Sequence, residues 1–156
     1  MAANPGLAPR TVSLFLAVAS VAILASVFAF QHLGGAAPCQ LCIWQRYPYG
    51  LLIVLGTIGF FWQPRLMLGL GVAVLLVGAG LAGYHYGVEQ GWFALPEGCA
   101  AGASATSVEE LRRMLSEAPP ACDQVRFTVF GWSLAAWNLV ASLSLAALAG
   151  YAAARR

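Results

Sequence analysis

The fold class predicted by this sequence is an all-α membrane protein: a four-helix transmembrane bundle with a short amphipathic helix in its second outer loop. Three observations carry that prediction. Of 156 residues, 60% are hydrophobic and only 9% are charged, whereas a soluble domain carries about a quarter charged residues. The apolar residues gather into four runs of the roughly 20 residues that a bilayer crossing needs. The polar residues collect between those runs, above all in one long stretch.

The spans fall at about 12–30, 43–62, 66–88 and 127–149, within a single membrane domain over 1–156. Arg10 precedes the first run, which exceeds the 7–15 apolar residues typical of a cleaved signal core. It is therefore expected to be a retained helix. Outer loop one, about 31–42, ends in Cys39-Gln40-Leu41-Cys42, and the second span follows almost at once. Gln63-Pro64-Arg65 makes a tight turn into the third span. Ala79, Gly83 and Gly87 there, with Ser142, Ala146 and Gly150 on the fourth, form small-residue ridges that let helices approach closely in lipid.

Outer loop two, about 89–126, holds Cys99 and Cys122, and all six acidic residues sit in or beside it. Ser107-Val108-Glu109-Glu110 is a capping-box pattern. It opens a helix toward Glu117, stopped by Pro119-Pro120. Val108, Leu111, Met114 and Leu115 share one face of that helix, which suits a position on the membrane surface.

Charge gives the orientation. The chain has no lysine; Arg10, Arg65, Arg155 and Arg156 lie on one side, and Arg112, Arg113 and Arg126 on the other, with Arg46 at its border. That count is a tie. The first helix usually dominates, and it has Arg10 before it and no basic residue in the linker after it. Both termini are therefore expected in the cytoplasm, with both cysteine pairs outside, where disulfides persist.

The two pairs differ in kind. A bridge between Cys99 and Cys122 closes a long loop and suits a structural role worth roughly 2–4 kcal/mol. A bridge between Cys39 and Cys42 closes a tiny ring and restricts little chain entropy. Cys-x-x-Cys is instead a redox spacing with a depressed thiol pKa. Zinc is disfavoured and no metal is expected, because Cys99 and Cys122 are too far apart in sequence for a ligand pair and no histidine stands at ligand spacing. Arg46 lies one helical turn after Cys42. From position alone it either stabilises a Cys42 thiolate or donates to a carbonyl oxygen of a lipid-soluble acceptor, or else snorkels to lipid phosphates. Trp44, Tyr47 and Tyr49 fit an interfacial aromatic belt, and Asn138 an interhelical hydrogen bond.

These residues resemble DsbB, the quinone-linked disulfide bond formation family of the bacterial inner membrane. The resemblance rests on Pro38-Cys39-Gln40-Leu41-Cys42-Ile43-Trp44-Gln45-Arg46, on Tyr84-His85-Tyr86-Gly87-Val88-Glu89, on Cys99 and Cys122-Asp123, and on Trp137-Asn138. Some members carry Glu where this chain has Gln45. The resemblance implies a protein disulfide oxidase with Cys39, Cys42, Cys99 and Cys122 catalytic, and Arg46 and His85 holding ubiquinone or menaquinone. It also implies a periplasmic thioredoxin-like partner of the DsbA type that attacks a Cys99–Cys122 disulfide. Cys122 then exchanges with Cys39, and Cys42 becomes the thiolate that faces the quinone. Nucleic acid is not an expected partner. Two rivals remain: a vitamin K epoxide reductase-like enzyme, in which the loop pair precedes the Cys-x-x-Cys, and a membrane protein whose disulfides only brace a loop.

Overall fold

The computed structural model describes residues 8–35, 37–97, 99, 107–109, 112, 120–125 and 127–155. Pro9 opens helix α1 (Pro9–His32), where a missing N–H costs nothing and the ring presets φ. Helix α2 (Gln40–Trp44) and helix α3 (Arg46–Phe61) follow, separated only by Gln45. Gln63, at φ 50°, turns the chain, and Pro64 starts helix α4 (Pro64–Glu89). Strands β1 (Thr128–Val129) and β2 (Trp132–Ser133) form an antiparallel hairpin, and helix α5 (Leu134–Ala154) ends the description.

Among the described residues three helices, α1, α4 and α5, are long and apolar enough to cross a membrane. The second apolar run is built differently from the expected single span. Helix α3 has 16 residues, about 24 Å at 1.5 Å each, which is short of the roughly 30 Å hydrocarbon core. Helix α2 extends it at the N-terminal end, where Gln45 N–H still reaches the Leu41 carbonyl at 3.1 Å. The break has a plain cause: Pro48 has no N–H to give the Trp44 carbonyl, so the ladder restarts at Arg46.

The fourth run also differs, because its first residues are a hairpin and the helix runs from Leu134 instead of about 127. Phe130 and Gly131 both have positive φ, 52° and 80°, the two-residue turn that matches strand twist. The Ser133 hydroxyl then accepts the Ala136 N–H at 3.2 Å and caps α5. The amphipathic helix expected from Ser107 to Glu117 lies for the most part outside the described residues.

Helix α1 packs on α3, α3 on α4, and α4 on α5. The core comprises Val12, Leu16, Tyr49, Leu52, Leu68, Leu75, Ala146, Ala149 and Ala152. Large apolar side chains such as Phe15, Val18, Val54, Leu76 and Val77 point outward, while Ser13, Ser20 and Ser142 are buried. Small residues such as these serines and Ala146, Ala149 and Ala152 among the buried leucines let helices pack closely, which is how they associate in lipid. The tightest approach is between α1 and α3. A Cβ on Gly56 would sit 2.6 Å from the Ser13 carbonyl oxygen and 2.9 Å from the Ala17 nitrogen. The expected ridges are mixed: Ala79, Gly87, Ser142 and Ala146 are buried and a Cβ on Gly87 would collide with the Phe93 ring, but Gly83 and Gly150 would admit one at ordinary contact distance, 3.8 Å.

Candidate active site

Cys39 is the N-cap of α2, and its sulfur accepts the Cys42 N–H at 3.2 Å. A helix N-terminus carries unpaired N–H groups and a partial positive charge, both of which favour an anion. His85, near the end of α4, brings Nε2 to 3.6 Å from the Cys39 sulfur. One turn further on, the Glu89 carboxylate lies 3.8 Å from the same nitrogen. Cys39 and Cys42 are free thiols, whereas Cys99 and Cys122 are joined in a disulfide with their Cα atoms 5.2 Å apart. Cys39, Leu41, Val88, Cys99 and Cys122 form one buried cluster, with Cys42 and Leu95 packed against it. All four cysteines thus meet at one end of the bundle.

A chain of hydrogen bonds orients this end. Tyr49 donates its hydroxyl to Asn138 Oδ1, Asn138 Nδ2 donates to Gln45 Oε1, and Gln45 Nε2 donates to His85 Nδ1 at 2.7 Å. Ser142 Oγ lies 3.1 Å from the Tyr49 hydroxyl. The direction of this chain follows from what each group offers. An amide has its acceptor at one end and its donors at the other, so fixing Asn138 fixes Gln45. Gln45 then makes Nδ1 of a neutral His85 an acceptor and leaves the proton on Nε2, pointing at Cys39. Asn138 was expected as an interhelical contact and is one. Gln45 and Tyr49 were not expected in this role; Tyr49 is buried, while Trp44 and Tyr47 are exposed as a belt requires.

The surroundings separate the two thiols of the dithiol form. Hydrogen bonding from the Cys42 thiol, aided by His85 and the Cys42 N–H against the opposing effect of burial, holds the Cys39 thiol well below its ordinary pKa. In this form the anion therefore sits on Cys39, with Cys42 as its donor.

Beneath the cysteines is a cavity of about 440 Å³, walled by Cys39, Cys42, Gln45, Arg46, His85 and Asn138 among apolar residues including Ile23, Val27, Phe30 and Trp137. Its size and mostly apolar wall suit a ring-sized ligand. Arg46 shares this wall with Cys42, but Nη1 donates to Gln31 Oε1 at 2.9 Å and the guanidinium lies 4.8 Å from the centre of the Phe28 ring. Among the described residues Arg46 Nε is buried without a partner. Folding brings to the Cys-x-x-Cys pair a histidine that sequence spacing does not. One potential donor atom from each of Cys39, Cys42 and His85 lies within 4.8 Å of the others, with His85 supplied from 46 positions beyond Cys39.

The family model described as disulfide bond formation protein DsbB matches residues 9–152. Among curated relatives, disulfide bond formation protein B of Albidiferax ferrireducens is 33% identical over 85% of this chain and 80% of its own. The protein of the same name from Azoarcus sp. is 34% identical over 81% of this chain and 82% of its own. That from Polaromonas sp. is 31% identical over 88% and 86%. No solved structure gives a significant match.

Proposed function

The chain belongs to the DsbB family of disulfide bond formation proteins, and from that membership we propose that it is a protein-dithiol:quinone oxidoreductase of the bacterial inner membrane. In this reading 1–156 is one membrane domain crossing the bilayer four times, with α2 and α3 together as the second crossing. Both termini are cytoplasmic, and both cysteine pairs face the periplasm.

The partner is a reduced thioredoxin-like protein of the DsbA type. Its thiolate attacks Cys99, forming a mixed disulfide and releasing Cys122 as a thiolate. Cys122 then attacks Cys39 of a Cys39–Cys42 disulfide and releases Cys42. The partner's second thiol resolves its bond to Cys99 and leaves oxidised. Cys99 next attacks Cys122, which restores the loop disulfide and returns Cys39 as a thiol. Two electrons and two protons have moved from partner to Cys39 and Cys42. A bound ubiquinone or menaquinone supplies the acceptor for that pair of electrons and is released as quinol.

The residues around the cavity suit this sequence. Cys42 is hard to ionise chiefly because Cys39 holds the charge beside it. Once Cys39 is bonded to Cys122 that cause is gone, and Cys42, released from its disulfide as a thiolate in the cavity wall, is opposed by burial and the Glu89 charge alone. Arg46 Nε, buried without a partner, suits a quinone carbonyl oxygen. His85 donates to the Cys39 thiolate in the dithiol form. With Cys39 in a disulfide, its Nε2–H is available to the same ligand. The energetics agree: DsbA stands at about −120 mV, so its reoxidation needs an acceptor of higher potential, each 30 mV of which is worth about 1.4 kcal/mol.

The carrying observation is the loop disulfide packed on Cys39 at the rim of an apolar cavity. The test is turnover by purified protein given a reduced DsbA-type protein and a quinone, with oxygen excluded. Quinone loss equal to partner disulfide formed is expected. Partner oxidation without quinone loss overturns the proposal.

A further inference from the structure

We infer that Cys39, Cys42, His85 and Glu89 form a binding site for one thiophilic divalent cation, zinc foremost, that exists only while Cys39 and Cys42 are reduced. Two sulfurs and an imidazole nitrogen within 4.8 Å of one another are a donor set zinc prefers, and Glu89, whose carboxylate lies 3.8 Å from that nitrogen but outside the three-donor group, turns toward the cation to complete four. The spacing fits. With Zn–S about 2.3 Å and Zn–N about 2.0–2.1 Å in a tetrahedron, a sulfur and a nitrogen lie about 3.5 Å apart; Cys39 Sγ and His85 Nε2 are 3.6 Å apart. The fourth donor is indicated independently. Glu89 has a side chain only 6% exposed, and its Oε2 is buried with no hydrogen-bond partner among the described residues. All four residues line the same cavity, which gives a path of entry.

The scaffold favours the site as well. His85 and Glu89 are one turn apart on α4, and Cys39 and Cys42 are one turn apart at the start of α2. A cation on Nε2 sends the proton there to Nδ1, and the Gln45 and Asn138 amides turn over, so that Gln45 Oε1 accepts from Nδ1–H as metal-binding histidines require and Asn138 Nδ2 donates to the Tyr49 hydroxyl. Binding is a proton exchange: Cys42 loses the one proton left on the pair, the Nε2 proton of His85 passes to Nδ1, and both thiolate lone pairs go to the cation. A bound cation then keeps Cys39 from exchanging with Cys122 and keeps the pair from closing. In the disulfide form neither sulfur is a thiolate, and the site is gone. The binding stands on geometry alone, whereas the arrest of turnover rests on the proposed oxidoreductase activity.

Cobalt(II) is the probe, added to the full chain carrying Cys99→Ser and Cys122→Ser, reduced and freed of reductant in detergent. A thiolate-to-cobalt absorption band saturating at one equivalent, and displaced by zinc, is expected. Oxidising Cys39 and Cys42 to their disulfide should remove it. His85→Ala should weaken cobalt at least tenfold, and Glu89→Gln should do so less, with circular dichroism showing that each variant keeps its helices. Absence of the band in the reduced parent, or unchanged affinity in folded His85→Ala, overturns the site. Zinc at saturation should also abolish quinone reduction by the wild-type chain; undiminished turnover overturns the arrest and leaves the site. A chain that binds cobalt but never reduces quinone refutes the proposed activity instead.

Discussion

The two cysteine pairs are made of the same atoms and differ in almost everything around them. Cys99 and Cys122 are 23 positions apart, joined, and carried by loop. Cys39 and Cys42 are three positions apart, unjoined, and fixed to the first turn of a helix, with His85 and Glu89 converging from α4. The first pair has its partner chosen by chain closure. The second has its chemistry chosen by surroundings: a helix end, an oriented imidazole and a cavity wall decide which sulfur carries charge. Spacing separates a long-loop pair from a Cys-x-x-Cys pair, but only the surroundings rank the two sulfurs of the latter.

Substitutions sharpen this contrast, beginning with the largest effect. Cys42→Ser should bring quinone reduction to background, while leaving the Cys99–Cys122 disulfide detectable by thiol trapping. Replacing Cys99 and Cys122 together by serine should abolish oxidation of a protein partner but spare oxidation of a small dithiol that reaches Cys39 and Cys42 directly. If both substrates fail equally, the pairs do not divide the work as described.

Smaller effects belong to the cavity wall. Arg46→Lys keeps the charge but loses Nε and the planar fork; quinone KM should rise about tenfold, equivalent to about 1.4 kcal/mol, with partner KM unchanged. His85→Ala removes one of the groups that hold the Cys39 thiol down. An ordinary cysteine, with a pKa of about 8.5, loses its thiolate as pH falls through that value. Cys39 should keep alkylating rapidly well below it, and lose reactivity only as pH drops through its own lowered pKa. In His85→Ala that falling edge should move to higher pH, as measured by iodoacetamide labelling of the reduced chain. Gln45→Leu leaves His85 Nδ1 and Asn138 Nδ2 buried and unpaired, which costs about 1–3 kcal/mol per group; a lower unfolding temperature is expected, with a weaker version of the same pH shift.

Much of this was legible in the sequence, for identifiable reasons. Long apolar runs report spans well, because length and composition suffice; α1 and α4 run over the predicted stretches with a few residues added at each end. The second run misled because Pro48 acts on a carbonyl four residues earlier, so an unbroken apolar run hides a broken ladder. The fourth misled because Phe127 to Ser133 is as apolar as a span, and only Gly131 and the β-branched Thr128 and Val129 hint at a hairpin. At the site, the Cys-x-x-Cys spacing was visible, and its place at a helix start was expected. Hidden were the contacts made across the bundle. Gln45, Tyr49 and Asn138 act as a relay only after three helices converge, and His85 becomes a neighbour of Cys39 only through the packing of α4 against α2.

The most direct test of the central claim, that Cys39 and Cys42 hand an electron pair to a quinone through Cys42, is a single turnover. The reduced chain carrying Cys99→Ser and Cys122→Ser is mixed with one equivalent of ubiquinone in the absence of oxygen, and quinone loss is followed alongside mass-spectrometric counting of free thiols. The account predicts one quinol formed for each Cys39–Cys42 disulfide, and none when Cys42→Ser is added. Quinol formed at the same rate in that added variant would contradict it.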